Sequence, residues 1–235
     1  MGHITIINSM INFKSTGSIS DFQDFIKDVY SLSDDRNYSI HDILMQQQRF
    51  VMRALKGIRK DNIEKLKLNL LIAFSFAMVN RLHIDIEDEV WKRFPYLCSY
   101  CGNKPCICKK IKPTARLKVK IDNDLKPKSL SGFQKMFNEI YPADSRTLAD
   151  AGVHLAEEMG EVSEAIHNYL GQHQQKQFDE VRLELADFVS CVFGVANSAK
   201  IDMAQELGKM YSNGCHVCHD APCVCSFSEV AKLKT

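Results

Sequence analysis

The sequence lacks an apolar segment long enough to cross a membrane. Its longest apolar run, Leu68 to Val79, is flanked by Lys67 and Arg81 and is too short to span a bilayer, so we expect a buried helix there. No basic stretch followed by an apolar run stands near Met1, which argues against a signal peptide and for a cytoplasmic location. An excess of one charge is also missing, because the net charge is +1. Composition alone therefore argues for neither a nucleic-acid binder nor a membrane-surface protein.

Strand signals are nearly absent, apart from a weak one at Ile4 to Ile7. Apolar residues recur instead at the three- and four-residue spacing of amphipathic helices. Gly171 is a suitable helix stop, and the Gln-rich stretch that follows it suits a loop. The sequence therefore predicts an all-α fold. In the second half of the chain the predicted helices are Leu130 to Tyr141, Leu148 to Leu170, Phe178 to Ala199 and Met203 to Tyr211.

Eight of the nine cysteines form two clusters with the same spacing, C-x2-C-x4-C-x-C. Four thiolates so close in sequence make a compact tetrahedral site, which suits a structural Zn²⁺ ion. An iron–sulfur cluster and disulfide bonds are the alternatives, although disulfide frameworks are typical of secreted proteins. Cys191 stands apart, and we expect it to be a small core residue. The predicted zinc ligands are Cys98, Cys101, Cys106 and Cys108 in the first cysteine cluster and Cys215, Cys218, Cys223 and Cys225 in the second.

The chain repeats itself. A shift of 117 residues superimposes the two cysteine clusters, and further upstream the register changes to 111 residues. The six-residue difference falls in the Gln-rich stretch, where a loop would accept an insertion. Matched pairs include Phe22 with Phe133, Gln23 with Gln134, Asn80 with Asn197 and Pro105 with Pro222. The sequence thus predicts a duplication, with a first unit over residues 18–108, a linker over 109–129 and a second unit over 130–226.

The predicted linker is basic, with eight Lys or Arg residues and two acids. Together with Pro113 and Pro127, this composition predicts an exposed connection between the two units. It adjoins the first cysteine cluster, and zinc knuckles can contact nucleic acid. The clusters themselves hold few basic or aromatic residues, which weakens a nucleic-acid role.

The second unit carries a group of acidic residues. Glu157, Glu158 and Glu161 can converge because positions three and four apart share a helix face, and the next helix offers Glu184 and Asp187. Glu161 and Asp187 stand among apolar residues, so we expect both to be buried. Buried carboxylates repel one another unless a cation lies between them, and Mg²⁺ is a common choice with oxygen ligands. The alternative is a solvated acidic face, but the helical segment that carries the first three contains no Lys or Arg.

The order E-E-x-x-E on one helix and E-x-x-D on the next resembles the motif of the MazG-like all-α NTP pyrophosphatases, which include dimeric dUTPases and phosphoribosyl-ATP pyrophosphohydrolases. The likeness runs from about Phe133 to Tyr211, including the stretches HLAEEMGEVSEAI and ELADFVSCVFGVAN. The cysteine tail is not part of the family's core pattern. The resemblance implies a Mg²⁺-dependent hydrolase in which a water attacks the α-phosphorus of a nucleoside triphosphate and releases NMP and pyrophosphate.

The same resemblance implies roles for individual residues. Glu158, Glu161, Glu184 and Asp187 would bind Mg²⁺, and Glu157 and Glu158 would act in catalysis, with Glu157 orienting or deprotonating the water. Asn197 matches a common family Asn and would contact the substrate. His154 and Lys209 are further candidates for phosphate contact, although a surface role fits each of them as well.

The first unit has lost these acids. Gln46, Gln47 and Phe50 stand where the second unit has its three glutamates, and Lys67 and Leu70 stand where it has Glu184 and Asp187. The family builds its site from helix bundles that pair as dimers, so the two units would form a pseudo-dimer within one chain, the first acting as scaffold. One hypothesis is that Lys67, Arg49 or Arg53 reaches across to the bound phosphates. The alternative is that an inactive surface has drifted.

Three functions therefore remain at this stage. The first is a nucleotide pyrophosphohydrolase with Mg²⁺ at its active site and structural Zn²⁺ in its tails. The second is a non-catalytic regulator that binds a nucleotide, and the third is a nucleic-acid-binding module that uses the linker and the knuckles. The sequence leaves open the preferred base and sugar, and whether two chains pair into a homodimer.

Overall fold

The all-α fold predicted from the sequence is confirmed by the computed structural model, which describes residues 11–111 and 113–226. Within these ranges there are eight α-helices and no strand. The weak strand signal at Ile4 to Ile7 lies outside the described residues. The helices are α1 (Ile19–Asn37), α2 (Ile40–Arg59), α3 (Leu68–Arg81), α4 (Ile86–Arg93), α5 (Leu130–Ile140), α6 (Leu148–Gln172), α7 (Gln175–Ser198) and α8 (Met203–Met210).

Local sequence explains where most of these helices begin. Ser18, Ser39 and Thr147 precede α1, α2 and α6, and each forms a capping box with an Asp three residues later. In such a box two backbone N–H groups of the first turn receive side-chain acceptors. The helices α4 and α8 begin after Asp85 and Asp202, whose side chains accept from the third residue of the helix. These two residues are 117 positions apart, as the repeat predicts.

The prediction of a loop over the Gln-rich stretch after Gly171 is wrong. The helix α6 continues to Gln172 and α7 already begins at Gln175, so only His173 and Gln174 separate them. His173 ends α6 in the left-handed conformation that often closes a helix. The ring of Tyr169 packs against the ring of Phe178 with centroids 5.2 Å apart, which joins the two helix ends. The inserted residues therefore lengthen helices, because glutamine is a good helix former and the two ends can pack.

Four helices form the centre of the molecule. Here α2 packs against α3 and α6, and α7 packs against α6 and α3. Around this bundle, α1 lies on α3 and α5 lies on α7. The short helices cross over, since α4 of the first unit packs on α7 and α8 of the second unit packs on α3. In the described part of the chain, none of the helices combines the length and the apolar character that a membrane span requires.

The contact between α2 and α6 is close because of a glycine. A Cβ atom at Gly152 would lie 2.5 Å from Cδ1 of Ile58 and 3.1 Å from Cδ2 of Leu55. A larger residue at this position would force these side chains to move. Gly152 thus sets the distance between the two long helices that face each other across the centre.

The same polar joint occurs in both units. In the first, the Gln23 side-chain amide donates to Asn80 Oδ1 (3.1 Å) and to the carbonyl of Ile84 (2.7 Å). In the second, Gln134 donates to Asn197 Oδ1 (3.1 Å) and to the carbonyl of Ile201 (2.7 Å). Asn80 and Asn197 return the bond to the backbone carbonyl of their glutamine. The joint fixes the first helix of each unit to the third helix and to the turn after it.

The segment between the units is exposed for most of its length, but it also contacts the helices. Asn123 accepts from Trp91 Nε1 at 2.9 Å, and Lys126 pairs with Glu87 at 3.2 Å. Arg116 lies 3.8 Å from Asp187. The segment therefore passes the acidic residues of the second unit first and then runs along α4 toward the start of that helix.

We expect Gln134→Ala to lower the free energy of unfolding by about 1 to 3 kcal/mol, because it leaves the buried side of the joint without partners. Thermal unfolding followed by circular dichroism measures the loss. Gln23→Ala tests the matched joint, and Gln175→Ala, which removes an exposed bond to Asp179, is the control. Equal melting temperatures for Gln134→Ala and Gln175→Ala would contradict the importance of the joint.

Candidate functional site

The packing of α6 against α7 brings three carboxylates together. Glu158 projects from α6, and Glu184 and Asp187 project from α7, where they are three residues apart and share a face. One oxygen of each lies within 4.8 Å of the others. Asp187 is 8% exposed, and the other two are partly buried. Three carboxylate oxygens this close together can share a single divalent cation.

The electrostatics of this group favour a cation. Oε2 of Glu158 and Oε2 of Glu184 are buried and have no hydrogen-bond partner among the described residues. Burial, followed by the charges of Asp187, Glu161 and Glu158, raises the pKa of Glu184 to about 7. Burial and the neighbouring negative charges both make the charged form of the Glu184 carboxyl group less favourable. A hard divalent cation with oxygen ligands would remove that cost, so the donor set fits Mg²⁺.

The two remaining glutamates of the motif lie differently from the sequence prediction. Glu161 was expected to be buried, but it is exposed, because the core face of α6 carries its neighbour Val162. Glu161 still interacts with the carboxyl group of Glu184. Glu157 is exposed and does not belong to the group of three converging carboxylates. The predicted catalytic role of Glu157 stays a prediction.

A cation from the first unit contacts the carboxylates. Arg93, in the last turn of α4, donates from Nε to Asp187 Oδ1 at 2.8 Å and from its terminal nitrogen to Oδ2. Burial opposes the charge of the guanidinium, but the hydrogen bonds to Asp187 raise the pKa of Arg93 overall. Arg116, from the segment between the units, lies 3.8 Å from the same carboxylate and 5.6 Å from the ring centroid of Tyr100.

Sequence reasoning missed Arg93 and Arg116. The sequence hypothesis considered only cations from the helices that align with those carrying the acids. The helix α4 reaches α7 because the short helices cross between the units. Under the 117-residue shift, Arg93 aligns with Met210 and Asp187 with Leu70. Met210 approaches Asn69, the neighbour of Leu70, so the matching crossing is uncharged. The signal in the sequence was this replacement of an ionic pair in one unit by less polar residues at the aligned positions of the other.

The substrate contacts predicted for Lys67, Arg53, Lys209 and Asn197 stay predictions. Lys67 precedes α3 in a left-handed conformation, and no described contact joins it to the three carboxylates. Arg53 lies near Arg49. The pKa of Arg49 is lowered first by its own burial and then by the charge of Arg53. Lys209 is 71% exposed and pairs with Glu206 on α8. The amide of Asn197 also takes part in the joint with Gln134.

His154 is half-exposed on α6 and lies beside the carboxylates. Its Nε2 is 3.1 Å from Glu158 Oε1, and its Nδ1 is 3.7 Å from Cys191 Sγ. Hydrogen bonds to Cys191 and to Glu158 raise the pKa of His154. Burial raises the pKa of the Cys191 thiol. Cys191 is buried, as the sequence predicts.

Each cysteine cluster gathers its four sulfurs around one point. All nine cysteines fall within the described residues and are free. The sulfurs of Cys98 and Cys108 are 3.8 Å apart and those of Cys101 and Cys106 are 3.9 Å apart. In the second cluster the recorded separations are 3.4 to 3.9 Å. A tetrahedral ion with Zn–S bonds of about 2.3 Å would separate its sulfurs by about 3.8 Å, so both clusters fit zinc.

The cysteine clusters also cross between the units. The backbone N–H of Cys106 donates to the carbonyl of Ile140, at the end of α5, at 2.7 Å. The N–H of Cys223 donates to the carbonyl of Val29, in α1, at the same distance. Each cluster therefore rests on the first helix of the other unit. The first cluster, with Tyr100, lies on the side of α7 where Arg116 meets Asp187.

The corresponding place in the first unit is apolar. Phe50, which aligns with Glu161, is fully buried and stacks on Phe74 with ring centroids 5.5 Å apart. Leu70, which aligns with Asp187, is buried as well. Gln47, which aligns with Glu158, is fully buried and donates to Ser75 Oγ at 3.2 Å. These side chains cannot form the oxygen-ligand set of the second unit.

Comparison with known families agrees with this asymmetry. Residues 146–215 match the family described as the MazG nucleotide pyrophosphohydrolase domain. Over this range the chain is similar to that family, and we refer to the matched residues as the MazG-like domain. The resemblance predicted between Phe133 and Tyr211 is thus confirmed over most of its length. No curated protein and no solved structure matches the chain.

The MazG-like domain contains α6, α7 and α8, and therefore all three converging carboxylates. It supports nucleotide pyrophosphohydrolase activity in general, with a nucleotide as substrate. Arg93 and Arg116 lie outside it, as does the first cysteine cluster. Side chains from the preceding part of the chain thus lie beside the carboxylates of the matched range.

We expect two tightly bound Zn²⁺ ions per chain after gel filtration, and one in Cys101→Ser or Cys218→Ser, because three thiolates hold the ion more weakly than four. Metal analysis by atomic emission gives the count. Cys191→Ser is the control and keeps both ions. Iron with a visible absorption band, or no metal with oxidised cysteines, would contradict the assignment.

Proposed function

We propose that the protein is a Mg²⁺-dependent nucleoside triphosphate pyrophosphohydrolase that converts an NTP or dNTP into NMP and pyrophosphate. Its active site would lie between α6 and α7 of the second unit. The observation that carries this proposal is the group of Glu158, Glu184 and Asp187 inside a MazG-like domain, with two buried carboxylate oxygens that have no described partner.

Glu158, Glu184 and Asp187 would hold the metal, because their oxygens converge and their burial makes a cation favourable. When bound, Mg²⁺ would supply the charge that holds the phosphates and lowers the pKa of the attacking water. Glu161 interacts with Glu184 from the exposed side of the group. It is therefore placed either to complete the ligand set or to meet the water.

The reaction needs a proton acceptor. The water oxygen bonds to the α-phosphorus, the bond between that phosphorus and the bridging oxygen breaks, and pyrophosphate leaves. The proton of the water goes to a carboxylate and then to solvent. Glu161 suits this role better than Glu157, because Glu161 contacts the group and Glu157 lies outside it.

The first unit would contribute to the site rather than serve only as scaffold. Arg93 holds the Asp187 carboxylate through two hydrogen bonds, which fixes its direction and offsets its charge. Arg116 is 46% exposed at the same carboxylate, so its guanidinium can bind phosphate oxygens from the solvent side. Arg93 and Arg116 thereby take the place that the sequence hypothesis gave to Lys67 and Arg53.

The two units, residues 18–108 and 130–226, would form a pseudo-dimer joined by the segment 109–129. Three observations support this proposal. The helix order repeats, the Gln–Asn joint repeats with the same distances, and the short helices and cysteine clusters cross symmetrically to the other unit. In this arrangement one unit keeps the acids and the other supplies the cations.

We expect Glu158→Gln to reduce pyrophosphate release by about 100-fold or more, because it removes a metal ligand in the centre of the site. The assay measures pyrophosphate released from a panel of NTPs and dNTPs with Mg²⁺, and so also identifies the preferred base and sugar. Glu164→Gln, an exposed acid on the same helix, is the control. Nucleotide binding by the wild type without pyrophosphate release would contradict the proposal and favour a non-catalytic regulator.

We expect Arg93→Ala to lower kcat about tenfold or more and to reduce the melting temperature, because Asp187 is left buried without its partner. Mg²⁺ should restore more of the melting temperature in the variant than in the wild type, since the ion replaces the missing charge. Lys92→Ala, an exposed neighbour paired with Asp88, is the control. A purely structural role would lower the melting temperature equally with and without Mg²⁺, and would contradict this prediction.

A further inference from the structure

A second set of metal ligands lies beside the three carboxylates. It consists of His154, Glu158 and Cys191, and one donor atom of each lies within 4.8 Å of the others. His154 Nε2 is 3.1 Å from Glu158 Oε1, and His154 Nδ1 is 3.7 Å from Cys191 Sγ. The set is distinct from both cysteine clusters, and it shares only Glu158 with the carboxylates.

Helix geometry explains why the two sets are adjacent. His154 is four residues before Glu158 on α6, and Cys191 is four residues after Asp187 on α7. Residues four apart lie one above the other on a helix face. The second set therefore lies one helical turn along the same groove between α6 and α7, in the direction of the start of α6.

The donors of this set differ in chemistry from the carboxylates. A nitrogen, a sulfur and an oxygen suit Zn²⁺ and similar transition-metal ions, whereas Mg²⁺ prefers oxygen ligands alone. Three protein ligands leave one position of a tetrahedron open, as in zinc sites that bind a further ligand. The His154 side chain is 51% exposed, so an ion can reach the set from solvent, although Cys191 is buried.

The first unit has no such set of donors at the aligned positions. Under the same alignment, Ile43, Gln47 and Phe74 of the first unit stand where the second has His154, Glu158 and Cys191. Ile43 is fully buried and Phe74 stacks on Phe50, so apolar packing fills the corresponding space. Histidine and cysteine thus stand where the first unit has an isoleucine and a phenylalanine.

From this geometry we propose that His154, Glu158 and Cys191 bind one Zn²⁺ or similar transition-metal ion, separate from the two structural zinc ions. The Cys191 thiol gives up its proton to solvent as the sulfur binds the ion, and His154 gives up a ring proton to solvent because only a neutral imidazole nitrogen can bind a metal. Because Glu158 belongs to both sets, this ion competes with Mg²⁺ and slows pyrophosphate release. The competition rests on the proposed function, whereas the binding of the ion does not.

Metal binding is tested with the full chain after both cysteine clusters have been loaded with Zn²⁺ and free metal has been removed. Co²⁺ is then added, and a thiolate-to-cobalt absorption band reports binding to a cysteine outside the loaded clusters. Equilibrium dialysis against Zn²⁺ gives the number of ions per chain. The variants are Cys191→Ser and His154→Gln, and His167→Gln, an exposed histidine on the same helix, is the control. Circular dichroism verifies that each variant keeps its helices.

We expect a third Zn²⁺ in the wild type and in the control, and a cobalt band in both. In Cys191→Ser and His154→Gln we expect affinity for the third ion to fall by about 100-fold, since even residues around the ligands contribute about 10- to 100-fold to metal affinity. Two ions in the wild type, or a third ion bound equally well by both variants, would overturn the site.

Competition is tested by pyrophosphate release in Mg²⁺ with and without added Zn²⁺, each variant being compared with its own rate without added Zn²⁺. We expect Zn²⁺ to slow the wild type and the control, and to slow the two variants far less. Equal slowing of all four proteins would overturn the competition. If no protein releases pyrophosphate, the proposed function fails, and the ion count still decides the metal site by itself.

Discussion

The contact between α6 and α7 concentrates negative charge, and cationic side chains lie beside that charge. Glu158, Glu184 and Asp187 come together because the two long helices pack side by side over their whole central part. Partly buried carboxylates at such distances favour cations strongly. Arg93 contacts Asp187, and His154 contacts Glu158. Two carboxylate oxygens have no described partner and are available to a metal ion.

In the proposed pseudo-dimer, the first unit is the one without that charge. Phe50, Leu70 and Phe74 fill the corresponding region with apolar contacts, and Gln47 replaces the central glutamate. Such packing stabilises a helical bundle more simply than buried carboxylates do. Gathered carboxylates are unfavourable for stability unless a cation lies between them, so their presence in the second unit alone points to function.

Much of the fold could be predicted from the sequence, because helical periodicity, capping residues and cysteine spacing are local signals. The acidic residues could be found for the same reason, since Glu184 and Asp187 are three apart on one helix. The exposure of Glu161 could not, because neighbours in sequence point about 100° apart on a helix and only packing decides which one is buried. Arg93 and Arg116 were missed since their contacts with Asp187 join residues more than 70 positions apart through the crossing of α4.

Asn197 shows a different limit. Its match to the family was correct as a sequence observation, but the structure uses its amide to hold Gln134, as Asn80 holds Gln23. A motif residue can thus serve the architecture in both units, including the one that has no acids. Sequence alone does not separate these roles, because both require the same side chain at the same position.

The crossing of α4 and of the first cysteine cluster has a consequence for assembly. In a protein made of two separate subunits, the partner's arginine would be present at the carboxylates only while the subunits stay associated, so the site would weaken on dilution. Here the segment after the first cluster ties Arg93 and Arg116 to the same chain as Asp187, which sets their effective concentration by chain length instead. The completeness of the site would then be independent of protein concentration, and each chain would carry one such site rather than sharing two between partners.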